Sequence, residues 1–505
     1  MALYARRLAG GDAAPPCPDE WADHDRAAAE PWSVTVTVYY RGAPIARGLA
    51  EEPHLCPALH RATAAGLDEA GLDRADRAEA RLVIELQDRD LALVEDDGRG
   101  LELTRGLVAS RRLDAQRLRE EIDHGKEYLF RVIHPEHGGV HKYYYAERDQ
   151  LENQLYTIYT ASWVYTMLKL HAHRPDPRIP ERVGAAAEFI LSMQSAVSDG
   201  RSSGAFHYSF DLDSERPRQR FVVGTAAKTI FTLLALRQFE PTGARGARYM
   251  SAAVRAADWL LTMQNRDGSV KPYLRWDTED QRWAHGKQVS MLYTGQVLSA
   301  LSRMYRAAGE GRYLDAADLT ARFLIARVER HGCYLGDDYR QANPISSSWV
   351  VLSLLDFALA TGDRRAQTVV DRCADELLDR QLSDERDIYR HGRWRRALSS
   401  SGNGWLAEVM SELYLRCRER EPERCQRFET AITRVTRLLM QYTYTPGSAY
   451  ATQNPAMAVG GVRWSAREPY VRTDSVCHAM NAYIHMIPHL DDGVLVELAE
   501  PTRVW

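Results

Sequence analysis

"ILSMQSAVSDGRSSGAFHY" (residues 190–208) and "LLTMQNRDGSVKPYL" (residues 260–274) follow one plan. In each stretch an amphipathic helix pattern ends in a turn of small residues, and an aromatic-rich loop follows. Three more stretches repeat the plan, at residues 128–145, 377–392 and 438–455. Repetition of one helical unit is typical of architectures in which neighbouring units bury a shared core.

A second set of helix patterns lies between these units and differs from them in composition. One of them reads "ISSSWVVLSLLDFALA" (residues 345–360), which is small or apolar almost throughout. A helix that is apolar on all sides is buried on all sides, whereas the first set has one charged face. The second set comprises residues 154–170, 225–236, 289–307, 347–360, 404–416 and 474–487.

Six buried helices that alternate with six amphipathic ones predict a mainly α fold, a closed (α/α)6 toroid of helical hairpins over residues 111–505. The alternative is an open α-solenoid, which stacks the same hairpins without closing the ring. The long loops occur at only one end of each hairpin, and this favours closure.

The first part of the chain reads differently. Residues 33–42 and 80–88 contain β-branched and aromatic residues in strand-like runs, and residues 54–70 form a helix pattern between them. These elements predict a small α+β domain over residues 1–110, a common domain size. The segment "YYRGAPIARG" (residues 39–48), with the helix and strand that follow it, resembles the AMMECR1-like fold. No catalytic motif accompanies that resemblance.

Bulk composition excludes some functions. The chain has 505 residues and a formal net charge of -4, which offers no basic footprint for nucleic acid or an anionic membrane surface. The seven cysteines are scattered and form no C-x-x-C pair, so we expect neither a disulfide framework nor a zinc ribbon. The N-terminus lacks an apolar signal-peptide core. Together these features predict a reducing, cytoplasmic compartment.

The stretch "PYVRTDSVCHAMNAYI" (residues 469–484) carries the most specific resemblance. The hairpin plan as a whole resembles the six-hairpin toroids, which include glucuronyl C5-epimerases, N-acylglucosamine 2-epimerase-like proteins and several glycoside hydrolases. The stretch itself is similar to the Arg-x-Asp-x-x-x-His start of the last inner helix of glucuronyl C5-epimerases. Ser475 stands where those enzymes usually have a tyrosine. The resemblance implies a central cavity faced by the starts of the inner helices.

A polar stripe begins this last inner helix. Asp474 is a natural helix N-cap, and His478 and Asn481 follow it at helical spacing. A polar stripe on a buried helix requires either partners or a wet cavity. We therefore predict a functional cavity, with a satisfied structural network as the alternative. Arg463 and Arg472 are expected to pair with Asp474 or to bind an anionic group of a substrate.

The mouths of the other inner helices are also rich in aromatic and polar residues, a mixture that suits sugar rings, which present apolar faces ringed by hydroxyl groups. The predicted catalytic residues are Asp474, His478, Tyr208 and Asp338. The predicted substrate-binding residues are Arg472, Arg463, Trp464, Asn481, Tyr143, His207, Tyr293 and Trp405.

Two chemistries fit these residue types. Paired carboxylates, with Asp337 and Asp338 or Asp211 and Asp213 as candidates, are the groups that hydrolyse glycosidic bonds. A tyrosine with a carboxylate instead suits proton exchange next to a carboxylate, as in epimerases and lyases.

The sequence therefore predicts a carbohydrate-active enzyme, an epimerase, lyase or hydrolase acting on an oligosaccharide or a uronate-containing glycan. It predicts no metal and no cofactor, and it predicts a possible protein partner through the N-terminal domain. Two alternatives remain, a non-catalytic binding or assembly protein and a peptide or prenyl cyclase-transferase.

Overall fold

The structure is a computed structural model of the chain. Besides Cys17, it describes residues 31–40, 43–73, 76–77, 80–87, 103–104, 115–197, 201–383, 390–418, 422–446, 448–449, 452–465 and 468–491.

The N-terminal unit is a four-stranded sheet with one helix, and it confirms the α+β prediction. Its elements are β1 (Trp32–Tyr40), β2 (Ala43–Glu52), α1 (Leu55–Ala70), β3 (Arg81–Gln87) and β4 (Leu103–Thr104), in the sheet order β2-β1-β3-β4. Alternate residues of β1, including Val34 and Val36, are fully buried in a small core of their own. The predicted domain boundary at residue 110 lies outside the described residues and stays a prediction.

Strand β2 is absent from the prediction because its sequence has low strand propensity. The residues that face the helix are small, among them Ala46, Gly48 and Ala50. A side chain at Gly48 would overlap the backbone of Ala62 on α1, so the small residues allow the helix to lie directly on the strand.

In the described residues from Ala115 onward, twelve long helices form two concentric rings. The inner helices are α3 (Thr157–His173), α5 (Val223–Phe239), α7 (Met291–Ala308), α9 (Pro344–Thr361), α11 (Ser400–Cys417) and α14 (Thr473–Asp491). The outer helices are α2 (Ala115–Arg131), α4 (Arg178–Ser192), α6 (Ala244–Met263), α8 (Gly311–His331), α10 (Arg364–Leu378) and α12 (Pro422–Tyr442), and a short helix α13 (Pro455–Ala458) precedes α14.

The inner helices form a closed ring. Each packs against the next along the chain, and α14 packs back against α3. The predicted (α/α)6 toroid is therefore confirmed, and the open solenoid is excluded. Composition explains which helix lies where: α9 is buried around nearly its whole circumference, whereas α10 buries one stripe that includes Val369, Cys373 and Leu377.

Three small antiparallel sheets line the end of the ring where the inner helices begin. They comprise β5 (Tyr143–Tyr145), β6 (Gln150–Leu151) and β13 (Val471–Arg472); β7 (Gln154–Tyr156), β8 (Ser209–Asp211) and β9 (Arg216–Pro217); and β10 (Arg220–Val222), β11 (Tyr273–Asp277) and β12 (Arg282–His285). Each sheet joins the loops of two neighbouring hairpins. The pairing of β13 with β5 links the last hairpin to the first, so the sheets reinforce ring closure.

A glycine turn after an outer helix packs against the next outer helix around the ring. Its glycine has a positive φ angle, and a side chain there would overlap a backbone carbonyl of that next helix. The pairs are Gly138 with Ala185, Gly204 with Arg255, Gly268 with Leu319, Gly392 with Arg434 and Gly460 with His124. The last pair joins the final turn of the toroid to its first helix.

Three disulfides correct the expectation from the cysteine spacing. Cys333 pairs with Cys373, Cys417 with Cys425, and Cys17 with Cys56, while Cys477 is free and buried. The expectation of no disulfides is wrong because, in the toroid, helix packing rather than a sequence pattern brings Cys333 to Cys373 and Cys417 to Cys425. Disulfides persist in oxidising environments, so the cysteines do not support the cytoplasmic prediction.

One described helix, α9, is long and apolar enough to cross a membrane by length and composition. Within the toroid 78% of it is buried, as expected for a core helix of the ring.

Replacing Gly460 with alanine is predicted to destabilise the toroid more than an equivalent change at Gly362. Both glycines have a positive φ angle, 86° and 76°, so alanine costs about 1–2 kcal/mol of backbone strain at either position. Only Gly460 also lacks room for a methyl group, since Gly362 has no atom within 4 Å of that position. Urea unfolding of both variants measures the difference, and equal losses of stability would contradict this account of ring closure.

Candidate functional site

The centre of the ring holds a cavity of about 580 Å³, part of it open to solvent, and every inner helix contributes to its wall. Aromatic side chains, Phe231, Trp349 and Trp405, form much of the apolar wall. The charged and amide side chains that line it are Lys228, Arg303, Glu408, Glu412, His478 and Asn481.

A buried carboxylate–histidine pair is the central polar feature of this cavity. His478 Nδ1 lies 2.7 Å from Glu408 Oε2, and Asn481 Nδ2 donates to Glu408 Oε1 at 3.2 Å. Burial opposes the charge on Glu408, but the hydrogen bond from His478 and the nearby Lys169 and Lys228 hold its pKa well below the usual range. The ionised carboxylate therefore accepts a hydrogen bond from Nδ1, and Nε2 is the imidazole nitrogen that this bond leaves available.

Close helix packing sets the geometry of this pair. Glu408 lies on α11 and His478 on the neighbouring α14. Gly404, one turn before Glu408, allows the two helices to approach, because a Cβ atom there would be only 3.1 Å from His478 Cβ. A glycine in a helix interior costs stability, so its position here serves the contact.

Two stacked tryptophans bound the cavity on the side of the inner-helix starts. The rings of Trp349 and Trp405 lie 4.0 Å apart at an angle of 12°, and Trp405 Nε1 donates to Ser348. The ring of His478 meets Trp405 edge-on at 5.3 Å. The predicted mouth residue Tyr143 does not line this cavity.

Charged residues surround the opposite end of the cavity. Arg303 pairs with Asp356 at 2.9 Å, and Lys169 Nζ lies 3.2 Å from His485 Nε2. The side chains of Lys169, Arg303 and Glu412 are 21%, 28% and 34% accessible, although all three belong to inner helices. Solvent therefore reaches the interior of the ring at this level.

Asp474 lies at the mouth, where it pairs with Arg472 as the sequence predicts and does not act as the predicted helix cap. Its carboxylate accepts from Arg472 Nε and Nη2, both at 2.6 Å, and from Ser401 at 3.1 Å, rather than capping the backbone of α14. Burial opposes ionisation, but Arg472 holds the pKa of Asp474 below its usual value. The Arg472 guanidinium also lies 4.5 Å from the ring centroid of Trp464, which stacks on Tyr470.

Three other predicted residues also lie in the aromatic mouth. Tyr143 meets Tyr470 edge-on at 5.5 Å, and Tyr208 meets Tyr156 at 5.4 Å. Tyr293 packs against Gly224 of the neighbouring inner helix, where a side chain would overlap its ring.

His207, Arg463 and Asp338 have structural contacts within the described residues. His207 Nδ1 lies 3.0 Å from the Arg218 carbonyl, and burial lowers its pKa. Arg463 does not pair with Asp474, and its guanidinium donates to the Gln441 carbonyl at 2.8 Å. Asp338 is exposed and accepts the amide of Val289 at 2.7 Å.

The two adjacent carboxylates of the hydrolase hypothesis are directed to different partners. Asp337 is buried and accepts from Arg340, Ser290 and Ser346, whereas Asp338 holds the loop before α7. Neither lines the cavity. Their contacts fix the rim, and the catalytic role predicted for Asp338 stays a prediction.

The prediction misses Lys228, Glu408 and Trp349, although the sequence carries a signal for two of them. Lys228 stands alone in "GTAAKTIFTLLAL" (residues 224–236), and Glu408 lies within "GNGWLAEVMSELYL" (residues 402–415). A charged side chain in a helix predicted to be buried requires a partner or a cavity. Among the described residues no group of three histidine, cysteine or acidic side chains is arranged to hold a metal.

Comparison with known proteins identifies the fold. No family model and no curated protein matches the sequence. A cellobiose 2-epimerase from Bacillus thermoamylovorans B4167 superposes with a TM-score of 0.56 at 13% identity, over 74% of this chain and 99% of that one.

Two further solved structures show the same likeness. A cellobiose 2-epimerase from Spirochaeta thermophila DSM 6192 has a TM-score of 0.54 at 15% identity, over 75% of this chain and 98% of that one. A GH76 α-mannanase from Bacteroides thetaiotaomicron has a TM-score of 0.54 at 8% identity, over 74% and 96%. At these identities the likeness is one of fold alone.

Replacing Arg472 with methionine is predicted to destabilise the protein by about 3–5 kcal/mol, because it leaves the Asp474 carboxylate buried without its cation. The double variant Arg472→Met/Asp474→Leu is expected to recover much of this loss. Chemical denaturation at neutral pH measures both, and a double variant no more stable than the single one would contradict the assignment.

The Arg472–Asp474 pair also predicts that the stability of the protein depends on pH. Since the pKa of Asp474 is lowered on folding, its contribution is present above the unfolded value of about 3.9 and is lost as the pH falls through the folded value. Asp474→Asn should therefore reduce the loss of stability between neutral and acidic pH. An unchanged acid dependence would contradict this.

Proposed function

We propose that the chain is a carbohydrate-active enzyme that binds a sugar in the central cavity and moves a proton on a carbon next to its carbonyl group, as in epimerisation or isomerisation. The buried Glu408–His478 pair carries this proposal. Its carboxylate holds one imidazole nitrogen, and the other nitrogen remains as a base beside the cavity.

The wall of the cavity supports a sugar as the substrate. Trp349, Trp405 and Phe231 offer aromatic surface to the apolar face of a sugar ring. Asn481 Oδ1 is buried and has no hydrogen-bond partner within the described chain, and it is available to a hydroxyl donor. The cellobiose 2-epimerases of similar fold act on a sugar, and the same substrate class is proposed for this chain.

Proton transfer fits the site better than hydrolysis. Glycoside hydrolysis requires two carboxyl groups that flank the bond, one of them kept protonated by a raised pKa. Glu408 is instead held ionised by His478, and Asp337 and Asp338 support the rim. Histidine bases with a carboxylate partner are suited to removing a proton at neutral pH.

We also propose that the chain works in an oxidising compartment, on the strength of its three disulfides. The suggestion of a protein partner for the N-terminal domain stays a prediction.

His478→Asn is predicted to reduce proton exchange on the sugar by about 10²–10⁴-fold, the usual contribution of a general base. Cellobiose, D-glucose, D-mannose and N-acetyl-D-glucosamine are incubated with the protein in D2O, and NMR follows loss of the C2 proton signal and growth of a second sugar. His331→Asn, at an exposed position on α8, is the matched control and should retain full exchange.

Thermal melts establish that both variants are folded. Exchange that persists in His478→Asn at the rate of the control would refute the role of the pair. Failure of every sugar to exchange with the unaltered protein would refute the proposed reaction on these substrates.

A further inference from the structure

Lysine is rare in this chain. Of its 65 lysines and arginines only six are lysines, namely Lys126, Lys142, Lys169, Lys228, Lys271 and Lys287. The chain therefore uses arginine for almost every cation. Arginine cannot be deprotonated in proteins, whereas a lysine amine becomes a nucleophile once it loses its proton. A lysine inside the ring can therefore act as a nucleophile, which the arginines of this chain cannot do.

Two of these lysines lie on inner helices, and their surroundings differ. Lys169 Nζ lies 3.2 Å from His485 Nε2 and 3.9 Å from Glu408 Oε1. Lys228 Nζ lies 5.3 Å and 5.1 Å from the ring centroids of Trp349 and Trp405. Throughout the described chain no carboxylate lies within 4.0 Å of Lys228 Nζ and no group accepts a hydrogen bond from it. Lys228 is thus an amine in the cavity wall without an ion-pair partner.

The pKa values of the two lysines are shifted in opposite directions, which agrees with the difference in their contacts. Burial lowers the pKa of Lys228, and the negative charges of Glu408 and Asp474 offset this only in part. Burial also acts on Lys169, but Tyr165, Glu408 and Glu412 raise its pKa above the usual value. Desolvation without a close carboxylate is the setting in which a lysine acts as a nucleophile towards carbonyl carbons.

We propose that Lys228 forms an imine with the aldehyde carbon of an open-chain sugar in the cavity. The inference rests on the proposed function for its substrate, and it assigns a covalent role that proton transfer by His478 alone does not require. Lys228 and His478 both lie against Trp405, with the amine 5.1 Å and the imidazole 5.3 Å from the centroid of its ring. The amine and the base therefore both border Trp405 in the wall of one cavity.

The chemistry balances without a cofactor. The lone pair of Lys228 Nζ attacks the carbonyl carbon, and the carbonyl oxygen leaves as water when the C=N bond forms. Both N–H protons of the amine leave with that oxygen, and a proton from the solvent in the ring then protonates the imine nitrogen. The protonated imine withdraws electrons from the neighbouring carbon, so His478 Nε2 takes the proton there and the electron pair moves towards nitrogen. Return of a proton to that carbon and addition of water to the imine then release the sugar and the free amine.

The alternative role for Lys228 is that of a fixed positive charge that stabilises a developing oxyanion. Lys228→Arg separates the two, because arginine retains the charge and cannot form an imine. Under the imine proposal this variant loses proton exchange, and under the alternative it retains much of it.

Reductive trapping tests the proposal directly. The full-length protein is incubated with glycolaldehyde and sodium cyanoborohydride, which reduces an imine to a stable amine, and peptide mass spectrometry then follows all six lysines and the terminal amine. Lys228 is expected to be labelled several times faster than the exposed Lys287, while Lys169 is labelled more slowly than either. The Lys228→Arg variant should melt normally and lose only that label.

Labelling of Lys228 no faster than Lys287 would overturn the proposal, as would full sugar exchange in Lys228→Arg. These outcomes are distinct from failure of the proposed function. Loss of trapping with exchange retained refutes the imine and leaves proton transfer by His478 in place. Trapping at Lys228 with no exchange on any sugar supports the imine and refutes the proposed reaction.

Discussion

The contact of Gly460 with the backbone of α2 is the constraint on which the toroid depends, because it joins the two ends of the ring. The same kind of turn, with a positive φ angle and no room for a side chain, fixes other hairpins to their neighbours. Hairpins that repeat one contact around a circle must return to their starting point, and the pairing of β13 with β5 strengthens this return. The cavity exists only because the ring closes.

Closure of the ring forms a central cavity and also removes water from the polar groups on the inner helices. Polar groups on inner helices lose water, so each must find a partner or lie beside a solvated cavity. Glu408 meets this requirement through His478 and Asn481, and Asp474 meets it through Arg472. Lys228 Nζ lies 5.1 and 5.3 Å from the ring centroids of Trp405 and Trp349, and among the described residues no carboxylate lies within 4.0 Å of it. The residues proposed to act on the sugar, His478, Asn481 and Lys228, are those with a polar atom available to a ligand.

The helical architecture was predictable because burial leaves a strong pattern in the sequence. Helix α9 was predicted as residues 347–360 and is observed as Pro344–Thr361. A helix that is apolar on almost all sides is stable in water only when it is buried on all sides. The polar stripe of α14 likewise pointed to His478 and Asn481. Trp405 was predicted as a substrate-binding residue, and it does line the cavity.

Partners distant in sequence were not predictable in the same way. Glu408 and His478 are 70 residues apart, and nothing local indicates which helices become neighbours in the ring. The disulfide between Cys333 and Cys373 has the same origin. For Asp474 the local pattern was misleading. The local sequence indicates a helix cap, but the carboxylate accepts hydrogen bonds from the side chain of Arg472.

A crystal structure of the His478→Asn variant soaked with cellobiose or D-mannose tests the central claim most directly. If the sugar binds in the cavity as we propose, its density lies inside the ring, next to Trp405 and within hydrogen-bonding distance of Asn481. Density confined to the aromatic mouth around Tyr143 and Tyr470, with the cavity holding water alone, would contradict it.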